Sequence, residues 1–218
     1  DSRQGEPYEC PMLPFGGTEQ FCWSPDSKTI AYTCRKKTGV DYATSTDSDI
    51  YLYDTESGTT KNLCKPADWQ EPATDHTISL AHQAKNQTDI DINAGYDQDP
   101  QFSPDGTRVA WKSMKRDGYE SDRTRLCVLD LISGEKTYVT ESFESGVDAF
   151  TWAPDGETIY FVGVWQGRSM VYQTNMEGEV KTLTAGDPDY GSVTAMPDCQ
   201  HLLLERHSMS APSDLYML

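Results

Sequence analysis

The side chains best equipped for chemistry in this sequence crowd into Arg116-Asp117-Gly118-Tyr119-Glu120. A guanidinium, two carboxylates and a phenol in so short a span can recognise a charged ligand, or can simply pair with one another in a solvated loop. Elsewhere the chemistry is thinner. There is no GxSxG nucleophile elbow, and the four histidines, His76, His82, His201 and His207, sit in no local general-base signature. The cysteines, Cys10, Cys22, Cys34, Cys64, Cys127 and Cys199, form no CxxC pair, so neither a zinc cage nor a redox motif is expected. Cys22, Cys34, Cys64 and Cys127 fall inside strand patterns, as free buried thiols do. Asp47 with Asp49, or Asp89 with Asp91, has alternating spacing that can ligate Ca²⁺, but such spacing is common in metal-free loops. No metal and no cofactor are therefore expected. The one basic run, Arg35-Lys36-Lys37, reads as a solvated face.

The elements that must carry these residues are set by a repeat. The stretch DPQFSPDGTRVAWKSM (99–114) is a strand, a Ser-Pro-Asp-Gly turn and a second strand. The device recurs at FCWSPDSKTIAYTC (21–34), FTWAPDGETIYFVG (150–163) and, degraded, VTAMPDCQHLLLER (193–206). Pro presets φ in each turn, Asp bonds nearby backbone, and Gly106 or Gly156 can take positive φ. The turn prolines, Pro25, Pro104, Pro154 and Pro197, are spaced by 79, 50 and 43 residues. Removing an insertion of roughly 30 residues from the first interval leaves about 49, within the period of propeller blades. Asp54, Asp130 and Asn175, each ending a third strand, keep step with the prolines.

The expected fold is all-β, a partial β-propeller of about four blades built as four-stranded antiparallel meanders, the last incomplete. An extended lead-in occupies 1–18. Blades fall at about 19–64, 99–140, 147–183 and 190–218, with an insertion at 65–98 in which 78–84 has weak helical character. Trp23, Phe102 and Trp152, on the inner strands, are expected to pack between blades. In such a blade the long connections 35–48, 65–98 and 114–123 emerge on one face, which makes that face the expected functional surface.

Charge narrows the partners. Lys and Arg number 18 against 35 Asp and Glu, a formal charge of −17, which argues against nucleic acid. No apolar run approaches a membrane span. The N-terminus has neither the basic head nor the apolar core of a signal peptide and lacks Met, so a processed chain or a piece of something longer is expected.

The blade pattern resembles TolB-like proteins and the propeller domain of the prolyl oligopeptidase family. Longer stretches, PFGGTEQFCWSPDSKTIAYTCRKK (14–37), SDIYLYD (48–54), GYDQDPQFSPDG (95–106) and AWKSMKRDGYESDRTRL (110–126), are similar to the bacterial dipeptidyl aminopeptidases of that family. WD-repeat propellers fit less well, for want of a Gly-His…Trp-Asp pair. The resemblance implies a serine exopeptidase that removes N-terminal dipeptides, exported and periplasmic or secreted in a bacterium. In it a propeller screens peptide substrates and a C-terminal α/β-hydrolase domain, not present here, carries the catalytic triad. It also implies that an acidic group holds the substrate's free α-amine; Glu120 or Asp117, with Tyr119 beside and Arg116 adjacent, are the candidates. The alternative is a non-catalytic, TolB-like propeller that binds protein or peptide. Four blades leave open edges, so self-association, or cover from residues 1–18, is expected.

Overall fold

The computed structural model describes residues 8–12, 16–70 and 92–218. The expected helical turn at 78–84 and the Asp89/Asp91 pair lie outside them. Among the described residues, fifteen strands form four antiparallel sheets. The first holds β1 (Phe21–Trp23), β2 (Thr29–Cys34), β3 (Asp49–Asp54) and β4 (Thr60–Asn62). The second holds β5 (Asp97–Phe102), β6 (Arg108–Ser113), β7 (Arg125–Asp130) and β8 (Lys136–Tyr138). The third holds β9 (Val147–Trp152), β10 (Ile159–Trp165), β11 (Arg168–Thr174) and β12 (Val180–Thr182). The fourth has three strands, β13 (Asp189–Ala195), β14 (Leu202–Ser208) and β15 (Ala211–Met217). Each sheet is a meander in chain order, the blade unit of a propeller.

The turns explain the repeat. Ser24 and Ser103 donate their hydroxyls to Asp26 and Asp105 at 2.6 Å, and each Asp accepts the backbone N–H two residues on. The residue after the Asp is left-handed in all four copies: Ser27 at φ 61°, Gly106 at 75°, Gly156 at 73° and Cys199 at 57°. The third-strand acids close the next turn, where Asp54 takes the N–H groups of Glu56 and Ser57, and Asp130 those of Ile132 and Ser133.

The described chain divides into two compact units, 1–102 with 111–122, and 103–110 with 123–218. In the second unit, Ala110, Leu126, Val128 and Val139 pack with Val147, Phe150, Trp152, Ile159, Phe161 and Tyr172. Val162 and Val171 meet Tyr190, Val193, Leu202 and Leu204. These are apolar faces of successive meanders, each fully buried large side chain removing roughly 1.5–3 kcal/mol worth of surface from water. In the first unit, Tyr32 stacks on Tyr51, centroids 5.6 Å apart, with Cys34 beside them.

Two expectations are corrected. Trp152 is core, at 6 % exposure, but Trp23 is 54 % exposed. The two hold the same register, so the difference lies beyond the sheet: Trp152 is covered by the core of the second unit, whereas Phe21 and Trp23 on β1 stay exposed. The basic run does not face water either. Arg35 is buried against Glu9, Lys37 pairs with Asp47, and the Lys36 ammonium lies 4.1 Å from the Tyr51 ring centroid. Surrounding carboxylates and phenols give these cations partners that a periodicity argument does not see. The 35–48 connection, read as loop, contains a short helix, α1 (Gly39–Thr44). Among the described residues no helix is long and apolar enough to cross a membrane.

Candidate functional site

The first unit contains an open cleft of about 680 Å³, lined by Arg35, Tyr42, Thr46, Tyr96, Tyr119 and Glu120 among others. Its walls are the two longest described connections, 35–48 between β2 and β3, and 114–122 after β6. Tyr96 enters just before β5. Gly95 permits that entry: a Cβ there would lie 2.6 Å from the Met114 carbonyl oxygen, while the Met114 N–H bonds the Tyr96 carbonyl at 2.8 Å.

The two walls are joined by Asp117. Its Oδ1 accepts the Thr46 N–H at 2.7 Å and the Ser45 hydroxyl at 2.8 Å, and the Gly118 N–H returns a bond to the Thr46 hydroxyl at 2.9 Å. Asp117 is thus spent on holding loops together. Arg116 is also committed: it pairs with Asp122 at 2.9 Å, and its guanidinium stacks 4.2 Å from the Tyr119 ring centroid. Of the four residues expected to form a site, Tyr119 and Glu120 line the cleft, and Asp117 and Arg116 shape it.

The opposite wall is fixed by the lead-in. Glu9 and Arg35 exchange backbone hydrogen bonds at 3.1 Å. The Glu9 carboxylate pairs with the Arg35 guanidinium at 2.7 Å and accepts the Tyr42 hydroxyl. That guanidinium also lies 4.4 Å from the Tyr42 ring centroid. Arg35 therefore brings a compensated charge to the cleft. The bond to Glu9 raises the Tyr42 phenol above its ordinary range, and burial raises that of Tyr96, so both stay protonated and neutral. Glu120 is exposed at the cleft and forms no ion pair among the described residues.

Beside α1, the 45–49 segment is anchored by ion pairs. The Lys65 ammonium meets both oxygens of Asp47, at 2.7 and 2.8 Å, and Asp49 at 3.1 Å; Lys37 adds a second bridge to Asp47 at 2.8 Å. Burial alone would lower Lys65, but Asp47 and Asp49 outweigh it and hold the ammonium above its ordinary value. Burial pushes the carboxyl of Asp49 up, and that of Asp97 well above its usual range. Asp47 and Asp49, read as a possible Ca²⁺ pair, are thus held by lysines. Sequence reasoning missed Glu9, Tyr42 and Tyr96, because each reaches the cleft through tertiary contact; only Pro-rich spacing marks the lead-in as a strap.

No family model matches the chain. It is 41 % identical to dipeptidyl-peptidase 5 of Porphyromonas gingivalis over 99 % of its own length, and 40 % identical to dipeptidyl-peptidase 5 of Porphyromonas endodontalis over 100 %. It spans 28 % of the length of each. Among solved structures, TolB from Acinetobacter baumannii matches 97 % of the chain, and 41 % of its own, at a TM-score of 0.59 and 19 % identity, a likeness of fold.

Proposed function

The chain is a stretch of β-propeller homologous to the dipeptidyl-peptidases of the prolyl oligopeptidase family, and from that premise we propose that its cleft receives the N-terminal end of a peptide on behalf of a serine exopeptidase. The observation that carries this reading is the Glu120 carboxylate. It stands exposed on the cleft beside neutral phenols, while the other charges there are spent on structure: Arg35 on Glu9, Arg116 on Asp122, Asp117 on the 45–46 turn. An unpaired carboxylate attracts an ammonium group, and more strongly as a bound ligand displaces water from the cleft. Aromatic rims add favourable contact with a cation.

In this reading Glu120 binds the substrate's α-amine, Tyr119 and Tyr96 flank it, and Asp117 and Arg116 position the loop. Peptide-bond cleavage belongs to an α/β-hydrolase domain elsewhere in a longer parent, in an exported bacterial enzyme. The exposed edge strands β1 and β15 serve contacts with further blades or a second copy.

Binding tests the site separately from catalysis. Titrating the chain with a free-amine dipeptide amide should perturb the backbone amide resonances of residues 118–121. The N-acetylated peptide should leave them unmoved, as should the free-amine peptide with the Glu120→Gln variant. Equal perturbation by both peptides contradicts the assignment.

A further inference from the structure

Outside the cleft lining, three potential ligands converge in the first unit. Asp49 on β3, Cys64 just past β4 and Asp97 at the start of β5 are all buried, and the Cys64 sulfur and one oxygen from each carboxylate lie within 4.8 Å of one another. The two acids reach this point incompletely satisfied. Asp97 Oδ1 takes the Trp111 indole N–H at 2.7 Å and the Asn93 amide at 3.3 Å, and the Ser113 hydroxyl and the Cys64 thiol also approach the carboxyl, whereas Oδ2 is left without an aligned hydrogen bond among the described residues. Asp49 Oδ2 takes Asn62 at 2.8 Å and Tyr51 at 3.1 Å; Oδ1 has the Lys65 ammonium 3.1 Å away and no aligned donor. Leaving buried carboxylate oxygens without donors is costly, and native structures seldom do so without a use.

The sulfur is prepared as well. The Ile50 N–H donates to Cys64 Sγ at 3.3 Å, which fixes the sulfur at the cluster. Beside the cluster, Lys37 and Lys65 pair with Asp47, and Lys65 also reaches Asp49.

We propose that Asp49, Cys64 and Asp97 form a binding site for a divalent cation of the zinc class. One thiolate and two carboxylate oxygens are a donor set that suits a borderline-soft, four-coordinate ion with water as fourth ligand. Ca²⁺ and Mg²⁺, which need more oxygens and shun thiolate, fit poorly. Binding displaces the Cys64 thiol proton to solvent, so a metal–sulfur bond replaces S–H. Lys65 keeps a partner when Asp49 turns to the ion, because both Asp47 oxygens already hold it. The site joins β3, the segment after β4, and β5.

The probe is Co²⁺ added to the metal-stripped chain, followed by Zn²⁺. One equivalent of Co²⁺ should give a thiolate-to-cobalt charge-transfer band that Zn²⁺ abolishes, and Zn²⁺ should raise Tm. Cys64→Ser should lose the band and the Tm rise, while Cys127→Ser, another buried thiol, keeps both. Absence of the band in the parent chain, or its persistence in Cys64→Ser, overturns the proposal. Should Cys64→Ser not fold, Asp97→Asn decides: binding weakened tenfold or more supports the site, and unchanged binding overturns it.

Discussion

The Asp117 carboxylate accepts the backbone N–H of Thr46 at 2.7 Å, joining two connections that lie more than seventy positions apart in sequence. A side chain that looks like a ligand-binding acid in the sequence is the fastening between two walls. Asp117→Ala should cost about 1–3 kcal/mol, the range for a charge-assisted bond lost with its donors left behind. Amide hydrogen exchange at Thr46 and Gly118 should accelerate while the amides of β3 and β6 hold their rates. Unchanged exchange at Thr46 would show that the walls do not depend on this contact.

The four strand–turn–strand copies make a matched set of stability predictions. Ser27 and Cys199 occupy the left-handed position that Gly106 and Gly156 hold in the other copies. Non-glycine residues there cost about 1–2 kcal/mol, partly offset by the unfolded-state freedom glycine loses. Ser27→Gly and Cys199→Gly should each stabilise by about 0.5–1 kcal/mol, whereas Gly156→Ala should destabilise by about 1–2 kcal/mol. Denaturant unfolding checks both signs, and a stabilising Gly156→Ala contradicts the turn argument.

Acid should act on the third-strand turns. The backbone N–H of Ser133, with the Ser133 hydroxyl and the Ile132 N–H, holds the Asp130 carboxyl below the usual value of 3.8. A depressed carboxylate contributes stability above its unfolded pKa, and loses it as pH falls through the folded pKa. Asp130→Asn should therefore lower Tm at pH 7, and the gap to the parent chain should narrow as pH falls from about 4 to about 2. A gap that is constant across that range would assign the effect to packing.

How far the sequence goes can be judged residue by residue. Pro25, Pro104, Pro154 and Pro197 announce the meanders because a turn's φ requirements are local and recur in every copy. Trp152 and Trp23 occupy the same repeat position, yet one is buried and the other exposed, since burial depends on what lies beyond the sheet. Arg116 to Glu120 was legible as a loaded segment. Its division into fastening (Asp117), stack (Arg116) and exposed acid (Glu120) was not, because the partners Thr46, Ser45 and Tyr96 come from distant positions. Asp97 gave no signal beyond its place in a strand, and only the fold brings it to Asp49 and Cys64.

The central claim is that Glu120 holds the α-amine of a peptide substrate. The most direct measurement compares kcat/KM for the full-length enzyme and its Glu120→Gln variant, on a dipeptidyl substrate with a free N-terminus. Removing one charged partner of an amine is worth about 1.5–3 kcal/mol. The expected loss in kcat/KM is therefore about 10- to 100-fold, at roughly 1.4 kcal/mol per tenfold. A variant with unchanged kcat/KM for that substrate would contradict it.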